Sequence, residues 1–89
     1  MKAVVTVIGK DMVGILAKVT AICAEYNVNV LEVTQSILQE MFAMIMVVDI
    51  SKASVAFSAL VDRFEKMGTE MNLKIHLMHE DVFNTMHHI

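Results

Sequence analysis

The chain moves between two apolar rhythms. Residues 2–8 are rich in β-branched side chains, with Ala3, Val5 and Val7 on one face and Val4, Thr6 and Ile8 on the other. Both faces are largely apolar, which predicts a central strand. Over 12–26 the period lengthens: Ile15, Leu16, Val19, Ile22, Cys23 and Tyr26 recur at spacings of three and four, as a helix stripe does, while Lys18 and Glu25 fall toward solvent. Asn27 is a natural end for that helix, because asparagine tolerates left-handed backbone angles. Residues 28–38 return to alternation through Val28, Val30, Leu31, Val33 and Ile37. The slip at Val30-Leu31 predicts a bulge or an edge strand. Gln39-Glu40 is a poor hairpin turn by composition, yet it joins two strand-like runs. Residues 41–50 are apolar on both faces and predict a second central strand.

A second helix is expected from a cap at Ser51 or Ser54 to about Glu70. Its buried stripe would be Val55, Phe57, Leu60, Val61, Phe64 and Met67, with Lys52, Asp62, Arg63, Glu65 and Lys66 in water. Asp62 and Lys66 stand four apart in the favourable order. Gly68 is expected to loosen the helix end. Leu73, Ile75 and Leu77 alternate with Lys74 and His76 as a last strand. The tail from Glu80 to Ile89 has room for one or two helical turns, with Val82, Phe83 and Met86 on its apolar side. Strand, helix, strand, strand, helix, strand is the split arrangement of a ferredoxin-like α+β domain (βαββαβ). It predicts a four-stranded antiparallel sheet with two helices on one face, strands one and three central, and a short C-terminal helical tail. The other sheet face would be bare. Covering it, or pairing the exposed edge strand, needs a second chain, so a homodimer is expected.

Composition narrows this picture. The 89 residues fit one domain, 1–89, with no proline and no linker-like stretch. So small a domain buries only about 60% of its unfolded surface. One cysteine allows no intrachain disulfide to staple it, and argues for a reducing compartment. Hydrophobic residues make up 56% of the chain, more than such a core needs, which again points to a partner chain. The net charge of −3 and the scattered lysines leave no basic stripe, so nucleic-acid binding is not expected. The longest apolar run, Met41 to Val48, is far short of a bilayer span, and the first residues lack a signal-peptide cleavage pattern. A cytoplasmic protein with no membrane partner is the expectation.

Candidate chemistry gathers at Gly9-Lys10-Asp11-Met12-Val13-Gly14-Ile15-Leu16, between the first strand and the first helix. Gly9 offers backbone angles closed to other residues, and Gly14 would let helix backbone approach a neighbour. Asp11 is a candidate N-cap for the N–H groups of Val13 or Gly14. Donors left at a helix start favour an anion, so the stretch reads as a pocket for a small carboxylate ligand, or simply as turn and cap residues.

Enzyme constellations are weak. Ser51, Ser54 and Ser58 have no histidine at a fixed local spacing, Cys23 falls in an apolar stripe, and no phosphate loop or metalloprotease helix occurs. No catalytic residue and no cofactor is therefore expected. His79, Glu80, Asp81, His87 and His88 are the one metal-like cluster, with Glu80, Asn84, His87 and His88 on one helical side. The preferred reading is a tail that packs through Phe83 and Met86, with no metal bound. Nine methionines suit adaptable packing surfaces.

The apolar first strand, the Gly9–Leu16 stretch, the helix to Glu25 and Val28-Asn29-Val30 together resemble an ACT domain. The resemblance covers nearly the whole chain, and its ending is similar to that of stand-alone ACT proteins of bacteria and archaea. It implies a non-enzymatic, amino-acid-binding regulatory module. In that family a polar residue three before the turn glycine and an asparagine opening strand two bind the amino acid, usually across a dimer interface. Those positions are Asp11 and Asn29 here. The implied ligand-binding residues are Asp11, Met12, Val13, Gly14, Asn29 and Val30. The backbone N–H groups of Met12, Val13 and Gly14 would hold an anion, Asp11 an amine, and Asn29 would bridge polar groups. Many amino-acid-binding members carry asparagine where Asp11 stands, and aspartate repels a carboxylate. The implied partners are a second copy, a small amino acid or related metabolite, and a regulated enzyme or transcription factor. The alternative is a protein-interaction module with no small ligand.

Overall fold

A computed structural model describes residues 1–10 and 13–86. The elements follow in the order β1 (Lys2–Gly9), α1 (Ile15–Glu25), β2 (Asn29–Leu38), β3 (Met41–Asp49), α2 (Phe57–Met71), β4 (Lys74–His79) and α3 (Glu80–Met86). The sheet order is β2-β3-β1-β4 and every pairing is antiparallel. This is the ferredoxin-like arrangement with β1 and β3 central. The slip expected at Val30-Leu31 is a β-bulge, because the β2–β3 register shifts between Val30 and Glu32. β2 is also an edge strand.

The core lies between the sheet and the first two helices. Ala3, Val5 and Val7 of β1 and Phe42, Met44, Met46 and Val48 of β3 face Ile15, Val19, Ile22 and Cys23 of α1 and Leu60, Phe64 and Met67 of α2. These side chains are almost fully buried, and burying each aliphatic or aromatic one stabilises the fold by roughly 1.5–3 kcal/mol. Leu16 departs from the expected stripe and is 39% exposed. Arg63 departs the other way. It is half-buried rather than in water, and its Nη1 is buried without a hydrogen-bond partner.

Both main helices end in the same device. Asn27 at φ 59° and Asn72 at φ 58° are left-handed. Beyond them, the N–H of Val28 donates to the carbonyl of Cys23 at 2.8 Å, and the N–H of Leu73 donates to the carbonyl of Gly68 at 2.7 Å. These are Schellman turns that satisfy carbonyls otherwise left open at a helix end. Gly68 therefore does not loosen α2. It lies inside the helix, where an added Cβ would come within 2.9 Å of the Leu73 carbonyl oxygen, so glycine is what lets the chain turn back.

Three further expectations change. α2 begins at Phe57 after Ala56, so neither Ser51 nor Ser54 caps it. Ser54 instead donates its N–H to the Tyr26 carbonyl, tying the β3–α2 loop to the end of α1. Asp62 and Lys66 form no ion pair; among the described residues the ion pair is between the Met1 amine and Asp49. The second sheet face is not wholly bare. α3 packs on β1 and β4, and Val4, on the face away from α1 and α2, is fully buried. Within α3, Phe83 is half-buried while Val82 and Met86 are 50% and 67% exposed.

Candidate ligand-binding site

The two glycines of the first turn exchange the roles the sequence suggested. Gly14 precedes α1 at φ 75°, with open space where a Cβ would stand, so it is there for its backbone angle. Gly9, by contrast, ends β1 in contact with the Leu73 side chain, where an added Cβ would collide. Val13 is 80% exposed beside Gly14. Asp11 and Met12 lie outside the described residues, and the expected Asp11 cap lies there with them.

Asn29 and Val30 open β2 at the opposite end of the sheet. Asn29 pairs with Asp49, which pairs with Lys2, whereas Gly9 pairs with Phe42, which pairs with Ile37. Lys2 and Gly9 are the two ends of β1, so the turn and Asn29 stand roughly 24 Å apart at an antiparallel rise of about 3.4 Å per residue. One chain does not bring the expected ligand residues together. Val30 turns toward the helices, opposite Val48, and is half-buried.

At the Asn29 end the fold builds a cavity of about 400 Å³. The last turn of α1 contributes Cys23 and Ala24, and the turn into β2 contributes Asn27 and Val28. β2 and β3 supply Asn29 and Asp49, and the following loop supplies Ser51 and Lys52. The loop is held in place: the Asn27 side-chain amide donates to the Lys52 carbonyl at 2.9 Å, and the Ser51 N–H donates to Asp49 Oδ1 at 2.9 Å. The Met1 amine donates to the Ser51 hydroxyl and lies 3.7 Å from the same carboxylate oxygen. Ser51, through its hydroxyl and its N–H, holds the Asp49 carboxyl below its ordinary range, and the charge of the amino terminus adds to this. Burial pushes the Cys23 thiol up to about 11, so the wall it forms is neutral at physiological pH.

Sequence reasoning named Asn29 here but missed Asp49, Ser51 and Lys52. The available signal was Asp49-Ile50-Ser51, an aspartate able to accept the N–H two residues on. What only the register shows is that Asp49 stands opposite Asn29. Of the expected histidine cluster, only His79, Glu80 and Asp81 fall among the described residues. His87 and His88 lie outside the described residues, and no group of three metal-ligating side chains gathers among the described ones.

The βαββαβ order, the antiparallel sheet with β1 and β3 central, the polar cavity at one end and the exposed edge strand define a small ferredoxin-like α+β domain. The ACT domain family model matches residues 2–78, and the chain belongs to that family. A UPF0237 protein of Methanocaldococcus jannaschii is 46% identical over 88 residues, which are 99% of this chain and 98% of that one. A UPF0237 protein of Clostridium perfringens is 45% identical over the full length of both. Among solved structures, an ACT domain protein from Streptococcus pneumoniae superposes with a TM-score of 0.81 at 38% identity, covering 93% of each chain. A formyltetrahydrofolate deformylase from Pseudomonas syringae shares the fold alone, with a TM-score of 0.77 at 18% identity over 27% of its length. ACT domains are regulatory small-ligand-binding modules. No helix of the described residues is long and apolar enough to cross a membrane.

Proposed function

We propose that this protein is a non-enzymatic regulatory module that works as a homodimer and binds a small amino acid or related metabolite at the seam between two copies. The observation that carries the reading is the edge strand β2. It is ten residues long, pairs on one side only, and exposes Leu31, Val33 and Ile37 at 45%, 37% and 59%. Such an edge invites a second strand. A two-fold axis through an antiparallel β2–β2 contact exchanges the ends of the sheet. It brings Asn29 of one copy toward the Gly9–Gly14 turn of its partner, across the distance that separates them within one chain. Ligand touching both copies then biases how they pack, and a regulated enzyme or transcription factor reads that change.

Thermal melts against the common amino acids, paired with sedimentation of the free protein, test this. A ligand at a hundred times its dissociation constant raises stability by roughly 2.7 kcal/mol. The expected result is a dimer whose melting temperature rises with one class of amino acid, the rise weakening in Asn29→Ala. A monomer that responds to no amino acid overturns the reading and leaves a module that binds only other proteins.

A further inference from the structure

α1 is apolar almost all the way round. Ile15, Val19, Ile22 and Cys23 fill the core, yet the outer side carries Leu16, Ala17, Ala21 and Ala24, all exposed. Lys18 and Glu25 are its only charges. A helix that faces water on one side carries a polar stripe there, as α2 does with Asp62, Arg63, Glu65 and Lys66, whereas a helix apolar all round has neighbours on both sides. The groove between α1 and α2 points to the missing neighbour. β1 and β3 run in opposite directions, so the helices that follow them are antiparallel. Their outward charges line this groove in crossed pairs: Lys18 toward Glu70 at one end and Glu25 toward Arg63 at the other, with Ala21 and Met67 between. Among the described residues no ion pair crosses the groove. Arg63 Nη1 is sealed from water and has gained no acceptor, and a desolvated guanidinium is costly until a carboxylate meets it.

This charge pattern is complementary to itself. Lys18 and Glu25 stand two helical turns apart, as do Arg63 and Glu70. A two-fold axis crossing both helices at the level of Ala21 and Met67 lays the face on that of a second copy, α1 on α1 and α2 on α2, each pair antiparallel. Lys18 then faces Glu25 of the other copy and Arg63 faces Glu70, in both directions. Ala21 at the axis is short enough to let the two α1 helices approach. We infer that the outer face of α1, with the groove beside it, is a contact with a second copy of this chain. Area sets the assembly. Two helices present a face about 16 Å long and about 20 Å wide, so one contact buries roughly 700 Å² in all, short of the 1,200 Å² or so of a stable interface. The inference rests on the homodimer reading above, since a β2–β2 dimer carries both helical layers on the same side of one continuous sheet. Two such dimers meet through two contacts at once, roughly 1,400 Å². The product is a tetramer, and protomers split at β2 stay monomeric.

Sedimentation equilibrium of the full chain tests this. Expected is a dimer that pairs into a tetramer as concentration rises. The tetramer share should fall between about 0.1 M and about 1 M salt, as the screening length shrinks from about 10 Å to about 3 Å. Ala21→Arg alters an exposed position, so it should melt as the unaltered chain does. It places like charges on the axis and should raise the dimer–tetramer dissociation constant about tenfold or more, with the dimer intact. Lys18→Glu/Arg63→Glu and Glu25→Lys/Glu70→Lys should each stop at the dimer, and an equal mixture of the two should form tetramers again. That rescue distinguishes a second copy from a small ligand or a different protein in the groove. An unaltered chain that stays a dimer at every concentration, or a tetramer that Ala21→Arg leaves undisturbed, overturns the contact while the seam reading stands. Tetramers formed by either charge-reversed variant alone overturn the ion pairing. A monomer at every concentration ends the seam reading and this contact with it.

Discussion

Gly14, Gly9 and Cys23 are three residues whose roles depend on what surrounds them. At Gly14 nothing lies where a Cβ would go, so an alanine there meets backbone strain alone. Gly14→Ala is expected to cost about 1–2 kcal/mol, seen as a lower urea midpoint at unchanged slope. Gly9 carries ordinary backbone angles but faces Leu73, a residue distant in sequence, which is why local composition could not tell the two glycines apart. Cys23 has a pH signature. Its folded pKa is raised to about 11 from an ordinary value of 9.0, so the unfolded chain loses its proton first as pH rises. Stability from this group is therefore complete below about pH 9 and falls away between about pH 9 and 11. Urea midpoints at pH 8 and pH 10.5 should show that decline, and Cys23→Ala should flatten it. Asp49 works in the opposite direction. Its lowered pKa adds stability above the ordinary carboxylate range, and that contribution disappears as acid takes the group through its folded value.

At the scale of elements, the two helix ends repeat one solution with one difference. Asn27 and Asn72 both hold left-handed angles, but only Asn27 also spends its side chain on the loop beyond β3. Asn72→Gly should raise stability by up to about 1 kcal/mol, since glycine takes the angle without strain. Asn27→Gly gains the same relief and loses a hydrogen bond worth about 1 kcal/mol, so its melting temperature should not rise. Paired thermal melts of the two variants check the contrast. The first cap was legible because asparagine directly follows the apolar period of α1. The second was not, since Gly68 is the stronger local signal. Gly68 proves to be required by the backbone of Leu73, a contact that exists only once the chain has turned.

At the scale of the molecule, the sheet has two unequal edges and two unequal faces. α3 packs on both β1 and β4, and Val4 on the second face is fully buried, while β2 leaves its outer edge and much of its apolar surface exposed. Folding of the proposed dimer is linked to its concentration. The melting temperature of the unaltered protein should therefore climb with protein concentration, and in Val33→Lys/Ile37→Lys it should become independent of concentration. Scanning calorimetry over a wide concentration range reads this directly. The sequence pointed to a second chain from its excess of apolar residues. It did not indicate that α3 would pack on β1 as well as β4, because a helix of two turns with Val82, Phe83 and Met86 looks the same wherever it docks.

The sequence by itself determined the order of elements, the central places of β1 and β3 and the bulge after Val30. The order and the bulge follow from local periodicity, and the strand places from the way that order of elements can connect. The ACT family was legible as a resemblance carried by the Gly9–Leu16 stretch and Val28-Asn29-Val30. Tertiary structure alone decided which glycine is crowded and which is strained. It also decided that Asn29 stands a sheet's length from the Gly9–Gly14 turn, and that Asp49, Ser51 and Lys52 surround a cavity with it. Those facts depend on register and on which backbone passes which, quantities fixed only when strands distant in sequence pair.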